Sequence, residues 1–197
     1  ALIDWAMNEY PELKLICTAV ALKMIPLYFE NFAWADRIQT VKDGDELSLG
    51  THALKFVATP LVHWPEVMMT YDTQDKVLFS ADGFGKFGVI DSEPDDWACE
   101  ARRYYFNICG KYGVQVQNAI KKVSAFDIQT ICALHGPILS GEKLSEALRL
   151  YNIWSKYEVE TEGVFIAYAS MHGNTENAAN YLSEQLEATG ASKVSIS

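Results

Sequence analysis

Apolar residues recur along this chain at two different spacings, and each change of spacing marks a change of element. Leu2, Trp5 and Ala6 with Tyr10 form a short helical stripe that Pro11 stops, so the chain is expected to begin inside a helix. Residues 13–18 read as a buried strand, and 19–29 as a helix interrupted at Pro26. Between 37 and 71 the pattern shortens to strands separated by turns at Asp43-Gly44 and Leu49-Gly50, with alternation through Leu54, Phe56 and Ala58. After a polar turn at 72–75, residues 76–80 form a further strand that runs into the glycine-rich loop Asp82-Gly83-Phe84-Gly85.

Helical spacing then returns. Asp95 and Asp96 are suitable N-caps for a helix over 97–109, closed by Gly110, and a second helix covers 114–123. A strand over 128–134 follows, and Leu144, Leu148 and Tyr151 define an amphipathic helix ending near Lys156. The short polar stretch 158–163 predicts a domain boundary, with one domain over 1–160 and a second over 161–197. In the second, 164–169 is a continuous apolar strand of the kind covered on both faces in parallel sheets. A loop, a helix with Ala179, Leu182 and Leu186 on one face, and a last strand over 193–197 complete one βαβ unit. The fold class is α/β.

Charge and composition narrow the function classes. With 49% hydrophobic residues among 197, the chain can bury a core. The formal charge of -10, from 26 acidic and 16 basic residues, argues against nucleic acid or an anionic membrane as partner. No apolar run approaches the roughly 20 residues of a membrane span, and the opening residues lack the basic start of a signal peptide. A cytoplasmic protein is expected. Cys17, Cys99, Cys109 and Cys132 form no C-x-x-C pair, and their apolar neighbours predict buried, reduced thiols.

Three residues stand just past predicted strands: His63 in Val62-His63-Trp64-Pro65, Asp82 in Ser80-Ala81-Asp82-Gly83, and His135 in Leu134-His135-Gly136-Pro137. Loops at strand ends can aim several side chains at one point. Imidazoles with a carboxylate suit zinc or non-haem iron, and a carboxylate's two oxygens can bridge two ions. Each alone is more often an ordinary loop residue, whereas three on consecutive strand ends form a more specific pattern. His52, at a strand start beside Gly50, is read as a surface residue without a ligand role.

A second candidate loop, Ser170-Met171-His172-Gly173-Asn174-Thr175, follows an apolar strand and opens a helix. Its hydroxyls and backbone N–H groups could converge on a phosphate at the positive helix terminus. Without a P-loop lysine it suits a monophosphate better than a triphosphate. An ordinary capped βα turn is the competing reading.

The runs His63-Trp64-Pro65-Glu66, Leu78-Phe79-Ser80-Ala81-Asp82-Gly83-Phe84-Gly85 and Leu134-His135-Gly136 closely resemble those of flavodiiron proteins. Glu100-Ala101-Arg102-Arg103-Tyr104-Tyr105 resembles the helix after that family's aspartate loop, and the stretch from Tyr151 to Trp154 also fits. The resemblance implies the C-terminal part of a metallo-β-lactamase-like αββα sandwich over 1–160, its N-terminal part missing. The first βαβ unit of a flavodoxin-like doubly wound domain, truncated, would cover 161–197. It implies that Asp82 bridges two iron ions while His63 and His135 bind one each. The family's remaining ligands, an H-x-E-x-D-H motif, would lie before residue 1. Glu66 and Ala81 stand where many members have Asp and Asn.

By the same resemblance Ser170, His172, Gly173, Asn174 and Thr175 hold the phosphate of FMN, and Met171 covers part of its ribityl chain or ring. The implied activity is that of an oxidoreductase passing electrons from FMN to a non-haem diiron centre that reduces oxygen or nitric oxide. The implied partners are an electron-donor protein such as rubredoxin or a flavin reductase, and a second copy in a head-to-tail homodimer or dimer of dimers. The segment itself is expected to be inactive, because both cofactor sites are incomplete in it. Two alternatives stand beside this: a zinc-dependent hydrolase of the metallo-β-lactamase superfamily, and a non-catalytic FMN-binding scaffold.

Overall fold

Pro11 ends the first helix, as its spacing predicts: α1 spans Leu2–Glu9 in the computed structural model, which describes residues 2–29, 32–91 and 94–197. Contacts divide the chain into two units, Ala1–Glu158 and Val159–Ser197. In the first unit, β1 (Leu15–Thr18) and β2 (Ile38–Val41) pair in parallel. Between them lies α2 (Ala19–Met24), capped by the Thr18 hydroxyl, which accepts the Ala21 N–H at 3.1 Å. Pro26 turns the continuation into a 3-10 turn, Ile25–Leu27. Met7, Cys17, Ile25 and Trp34 form a small core here. Two polar ties close it: Trp34 Nε1 donates to Asp4 Oδ1 at 2.9 Å, and the Arg37 guanidinium donates to the carbonyls of Met7, Tyr10, Pro11 and Leu13.

The alternating stretch forms one six-stranded sheet. Its strands are β3 (Glu46–Ser48), β4 (Ala53–Ala58), β5 (Met68–Asp72), β6 (Val77–Phe79), β7 (Thr130–Cys132) and β8 (Leu139–Ser140), side by side in sequence order. All neighbours are antiparallel except β6 and β7, which run parallel with Val77 opposite Thr130 and Phe79 opposite Cys132. Parallel neighbours need a crossover, and α3 (Trp97–Ile108) and α4 (Gly113–Val123) lie within it. α5 (Gly141–Ser155) follows β8. The helices and sheet share a core containing Leu78, Ile131, Leu139, Tyr105, Tyr151 and Trp154.

Several boundaries differ from expectation for local reasons. The β7 ladder is shorter than 128–134 because its flanks bond to loops: Gln129 N–H donates to Lys76 O at 2.9 Å and Leu134 N–H to Ala81 O at 2.8 Å. At the start of α3 only Asp95 caps, accepting the Trp97 N–H at 3.0 Å, while the Asp96 carboxylate pairs with Lys86. Cys17 and Cys109 are buried as expected, but Cys99 is exposed on α3 and Cys132 is half-buried. Among the described residues no helix is long and apolar enough to cross a membrane.

In the second unit β9 (Val164–Ile166) and β10 (Val194–Ile196) pair in parallel around α6 (Asn174–Ala188). The buried positions of α6 are Ala179 and Ser183, whereas Leu182 is largely exposed. The apolar run 164–169 gives only three ladder residues, and Phe165 is 66% exposed rather than covered on both faces. α6 packs against this two-stranded ladder, and a pair of short strands offers too little surface to bury every apolar side chain in the run.

Candidate metal centre

Three loops build the site. The one between β4 and β5 is closed by its own backbone: Thr59 N–H donates to Val67 O at 3.0 Å, Leu61 N–H to Trp64 O at 2.8 Å and Val62 N–H to Thr59 O at 3.2 Å. Val62 is buried, joined to His63 by a cis peptide bond, and His63 projects from the loop that it anchors.

The loops after β6 and β7 are joined to each other. Beyond the ladder, Ser80 N–H donates to Cys132 O at 3.0 Å, Leu134 N–H to Ala81 O at 2.8 Å and Lys86 N–H to His135 O at 2.8 Å. The Ser80 hydroxyl donates to Gly83 O at 2.7 Å and Gly83 N–H returns a bond to Ser80 O at 2.9 Å. This turn places Ala81 at φ 51° and presents Asp82. Gly85 permits the close approach, since a Cβ there would lie 2.7 Å from His135 O and 3.2 Å from the Tyr104 ring.

His63, Asp82 and His135 come together. His63 Nε2 lies 3.4 Å from Asp82 Oδ2, and His135 Nε2 lies 3.5 Å from Asp82 Oδ1. Both separations exceed the usual N–H···O range of about 2.7–3.2 Å. They match the ~3.4 Å expected between two donors that each sit ~2.1 Å from a shared tetrahedral ion. Each imidazole therefore faces its own carboxylate oxygen. The three donors do not gather within 4.8 Å as one set, a closeness that among the described residues only His52, Asp72 and Asp75 reach. The arrangement fits two ions across one carboxylate better than one ion held by all three.

A cleft of about 490 Å³ surrounds the histidines, walled by Lys86, Tyr104 and Leu134 among others. Burial, and secondarily the charge of Asp82, pushes the Tyr104 phenol far above its ordinary range, so it stays a neutral hydrogen-bond donor. Burial likewise pushes the Cys109 thiol up to about 12, with Asp82 adding to it, which keeps that sulfur protonated. The Lys86 side chain is buried and ion-paired with Asp96 at the start of α3. Sequence reasoning assigned no role to Tyr104, Lys86 or Gly85. Each is set by the approach of α3 or the β7 loop, and no local spacing reports that approach.

His52 needs correction. Rather than a plain surface residue, it is half-buried with Nδ1 2.7 Å from Asp72 Oδ2, joining the start of β4 to the end of β5. That distance is a direct hydrogen bond, not the wider spacing of two ligands on one ion. Burial alone would raise the Asp72 carboxyl, but hydrogen bonds from Gln74 N–H, His52 and Asp75 N–H outweigh it and hold it below the usual carboxylate range.

In the second unit, the Ser170 hydroxyl accepts the Gly173 N–H at 2.9 Å, and Gly173 takes φ 80° as the N-cap of α6. Met171, His172, Asn174 and Thr175 are exposed around this turn, Met171 at 93%. The loop is thus an open turn at a helix N-terminus, with one of its N–H groups already engaged by Ser170.

A family model described as ODP family beta lactamase matches residues 1–136, and the chain belongs to that family. The coenzyme F420H(2) oxidase of Methanothermobacter marburgensis is 33% identical over 90% of this chain and 45% of its own length. The anaerobic nitric oxide reductase flavorubredoxin of Vibrio vulnificus is 31% identical over 90% and 37%. Among solved structures, the rubredoxin oxygen:oxidoreductase of Desulfovibrio gigas superposes with a TM-score of 0.82 at 29% identity, covering 93% of this chain and 47% of that one. Within the ODP family, these relatives place the chain among the flavodiiron proteins. The chain spans less than half the length of each of the three.

Proposed function

We propose that the first unit is the diiron half, and the second the flavin-phosphate half, of an oxidoreductase that reduces oxygen or nitric oxide with electrons from a donor protein. The observation that carries this reading is the division of the Asp82 carboxylate, one oxygen toward each histidine. Two imidazoles and a carboxylate suit non-haem iron. When bound, paired iron supplies electrons and coordination positions for a small gas. His63 and His135 would hold one ion each and Asp82 both.

The surrounding residues prepare the pocket. Leu134 and Phe87 give the cleft apolar walls, which favour a small uncharged substrate over water. Tyr104 lines the cleft and keeps its proton, so its hydroxyl would be a neutral donor to a bound group. Lys86 N–H fixes the His135 carbonyl and so the ring's direction. In the second unit Ser170, His172, Gly173, Asn174 and Thr175 would hold the FMN phosphate at the α6 N-terminus, with Met171 against the rest of the cofactor. The names of the relatives support oxygen and nitric oxide as substrates and rubredoxin as one donor class. A head-to-tail homodimer would bring the flavin of one copy to the metals of the other.

Metal and flavin analysis of the full-length protein, with gas consumption, tests the proposal. Asp82→Ala should lose both ions, and His63→Ala or His135→Ala about one each. Zinc without flavin absorbance would instead identify a hydrolase, and equal loss of one ion in all three variants would refute the bridge.

A further inference from the structure

In an antiparallel sheet alternate residues of a strand turn their backbone groups to the same edge. On the β3 side of β4, Phe56 spends its pair on the turn before β3: Gly44 N–H donates to Phe56 O at 2.8 Å, and Phe56 N–H donates to Asp45 O at 3.0 Å. Ala58, two residues on, faces the same edge but lies past the reach of β3, whose first residue, Glu46, stands opposite Lys55. Two side chains take the place of a strand. Asp43 Oδ1 accepts the Ala58 N–H at 2.8 Å, and Lys122 Nζ, from the last turn of α4, donates to Ala58 O at 2.8 Å. Lys122 Nζ also lies 3.0 Å from Asp43 Oδ2, so one ion pair closes a ring around both backbone groups of Ala58.

Ala58 is the residue at which the His63 loop leaves β4. The next residue, Thr59, is buried; its N–H donates to Val67 O and its carbonyl accepts the Val62 N–H, one residue before His63. Where the loop returns, the Thr18 hydroxyl at the end of β1 donates to Glu66 O at 3.2 Å. His63 therefore stands between two anchors drawn from distant parts of the sequence. The Lys122 anchor is the stronger, because a hydrogen bond from an ammonium is roughly twice as strong as one between neutral groups. It is also the one that salt can reach, since the Lys122 and Asp43 side chains are 39% and 50% exposed. His135 is supported in another way, by the backbone bond from Lys86 N–H to its carbonyl.

We propose that Lys122, paired with Asp43, is a positioning residue for His63: it fixes the peptide from which the loop departs, and with it the approach of that imidazole to Asp82 Oδ2. Its effect on metal binding rests on the diiron reading above, whereas its hold on the loop stands on the hydrogen bonds alone. The two histidines then differ in what supports them. Substitution of Lys122, or raised salt, loosens the His63 side and leaves the His135 side as it was.

Amide hydrogen exchange in the full-length protein tests the hold on the loop without reference to turnover. Lys122→Met, which keeps the length of the side chain and loses its charge, should speed exchange at the Thr59 and Val62 amides severalfold while the Lys86 amide exchanges as before. Lys122→Arg, which can reach both Ala58 O and Asp43, should restore the native rates. Unchanged exchange at Thr59 and Val62 would overturn the proposal, and so would equal acceleration at Lys86, the mark of general destabilisation. Titration with cobalt, followed by visible absorption, reads the consequence for metal: Lys122→Met should weaken one of two ions severalfold and leave the other unchanged. Both ions weakened alike, or neither, would overturn the role toward His63. Should Lys122→Met fail to fold, Asp43→Asn, which keeps an acceptor for the Ala58 N–H and breaks only the ion pair, decides by the same pattern. Native protein that takes up fewer than two ions would refute the diiron reading, while faster loop exchange in Lys122→Met would still uphold the anchor.

Discussion

Gly85→Ala should displace a candidate ligand without touching it. The added Cβ would stand 2.7 Å from His135 O, a backbone atom, and 3.2 Å from two carbons of the Tyr104 ring. Tyr104 is itself buried in α3 and has little room to retreat. The strain therefore falls on the Lys86 N–H to His135 O bond, 2.8 Å in length, which ties the aspartate loop to the histidine loop. Losing that bond in a buried place costs ~1–3 kcal/mol, and overpacking of this kind ~1–3 kcal/mol; since one shift relieves both, a total of ~2–4 kcal/mol is expected. Urea unfolding of the metal-free protein, followed by tryptophan fluorescence, measures it directly. On the proposed diiron reading, iron content of the full-length protein should fall toward one ion per chain, because His135 moves while His63 and Asp82 keep their loops. A midpoint change worth less than ~0.5 kcal/mol with full metal content would show that the two loops are not coupled through Gly85.

Two further substitutions probe the aspartate loop and the end of β5. Ala81 holds a left-handed φ of 51°, so Ala81→Asn should stabilise the fold by ~0.5–1 kcal/mol in thermal or urea unfolding, and a loss of stability would mean that the hydrogen bonds of the loop do not tolerate the longer side chain. Because the folded Asp72 carboxyl lies below its ordinary value, its stabilising contribution is present above pH ~4 and is lost as pH falls through the depressed folded value. Asp72→Asn should therefore lower stability at neutral pH and flatten the acid limb of the stability curve; an unchanged acid limb would refute the assignment.

What the sequence revealed followed from short-range chemistry. Proline positions ended α1 and α2, and the alternation through Leu54, Phe56 and Ala58 lies on β4. The candidate ligands were visible because turn glycines and strand ends can be recognised locally. Other features depend on neighbours distant in sequence. The His52–Asp72 pair forms only once β4 and β5 are in register, so an isolated histidine beside Gly50 looked like surface. Asp96 looked like a cap because nothing in its own segment announces Lys86. The exposure of Leu182 and Phe165 depends on how much surface α6 and two short strands can cover, which periodicity does not measure.

The parallel pairing of β6 with β7 also sets an order on assembly. β4, β5 and β6 are joined by short antiparallel connections, so the loops bearing His63 and Asp82 can take their places early. The other carboxylate oxygen meets His135 only after α3 and α4 have closed the crossover and β7 has docked beside β6. Such long-range pairing is slow to form, and on a growing chain it must wait for the later residues to be made. One half of the proposed centre can thus form while the other is still unbuilt, and on that proposal a chain that meets iron at that stage would be filled on the His63 side first.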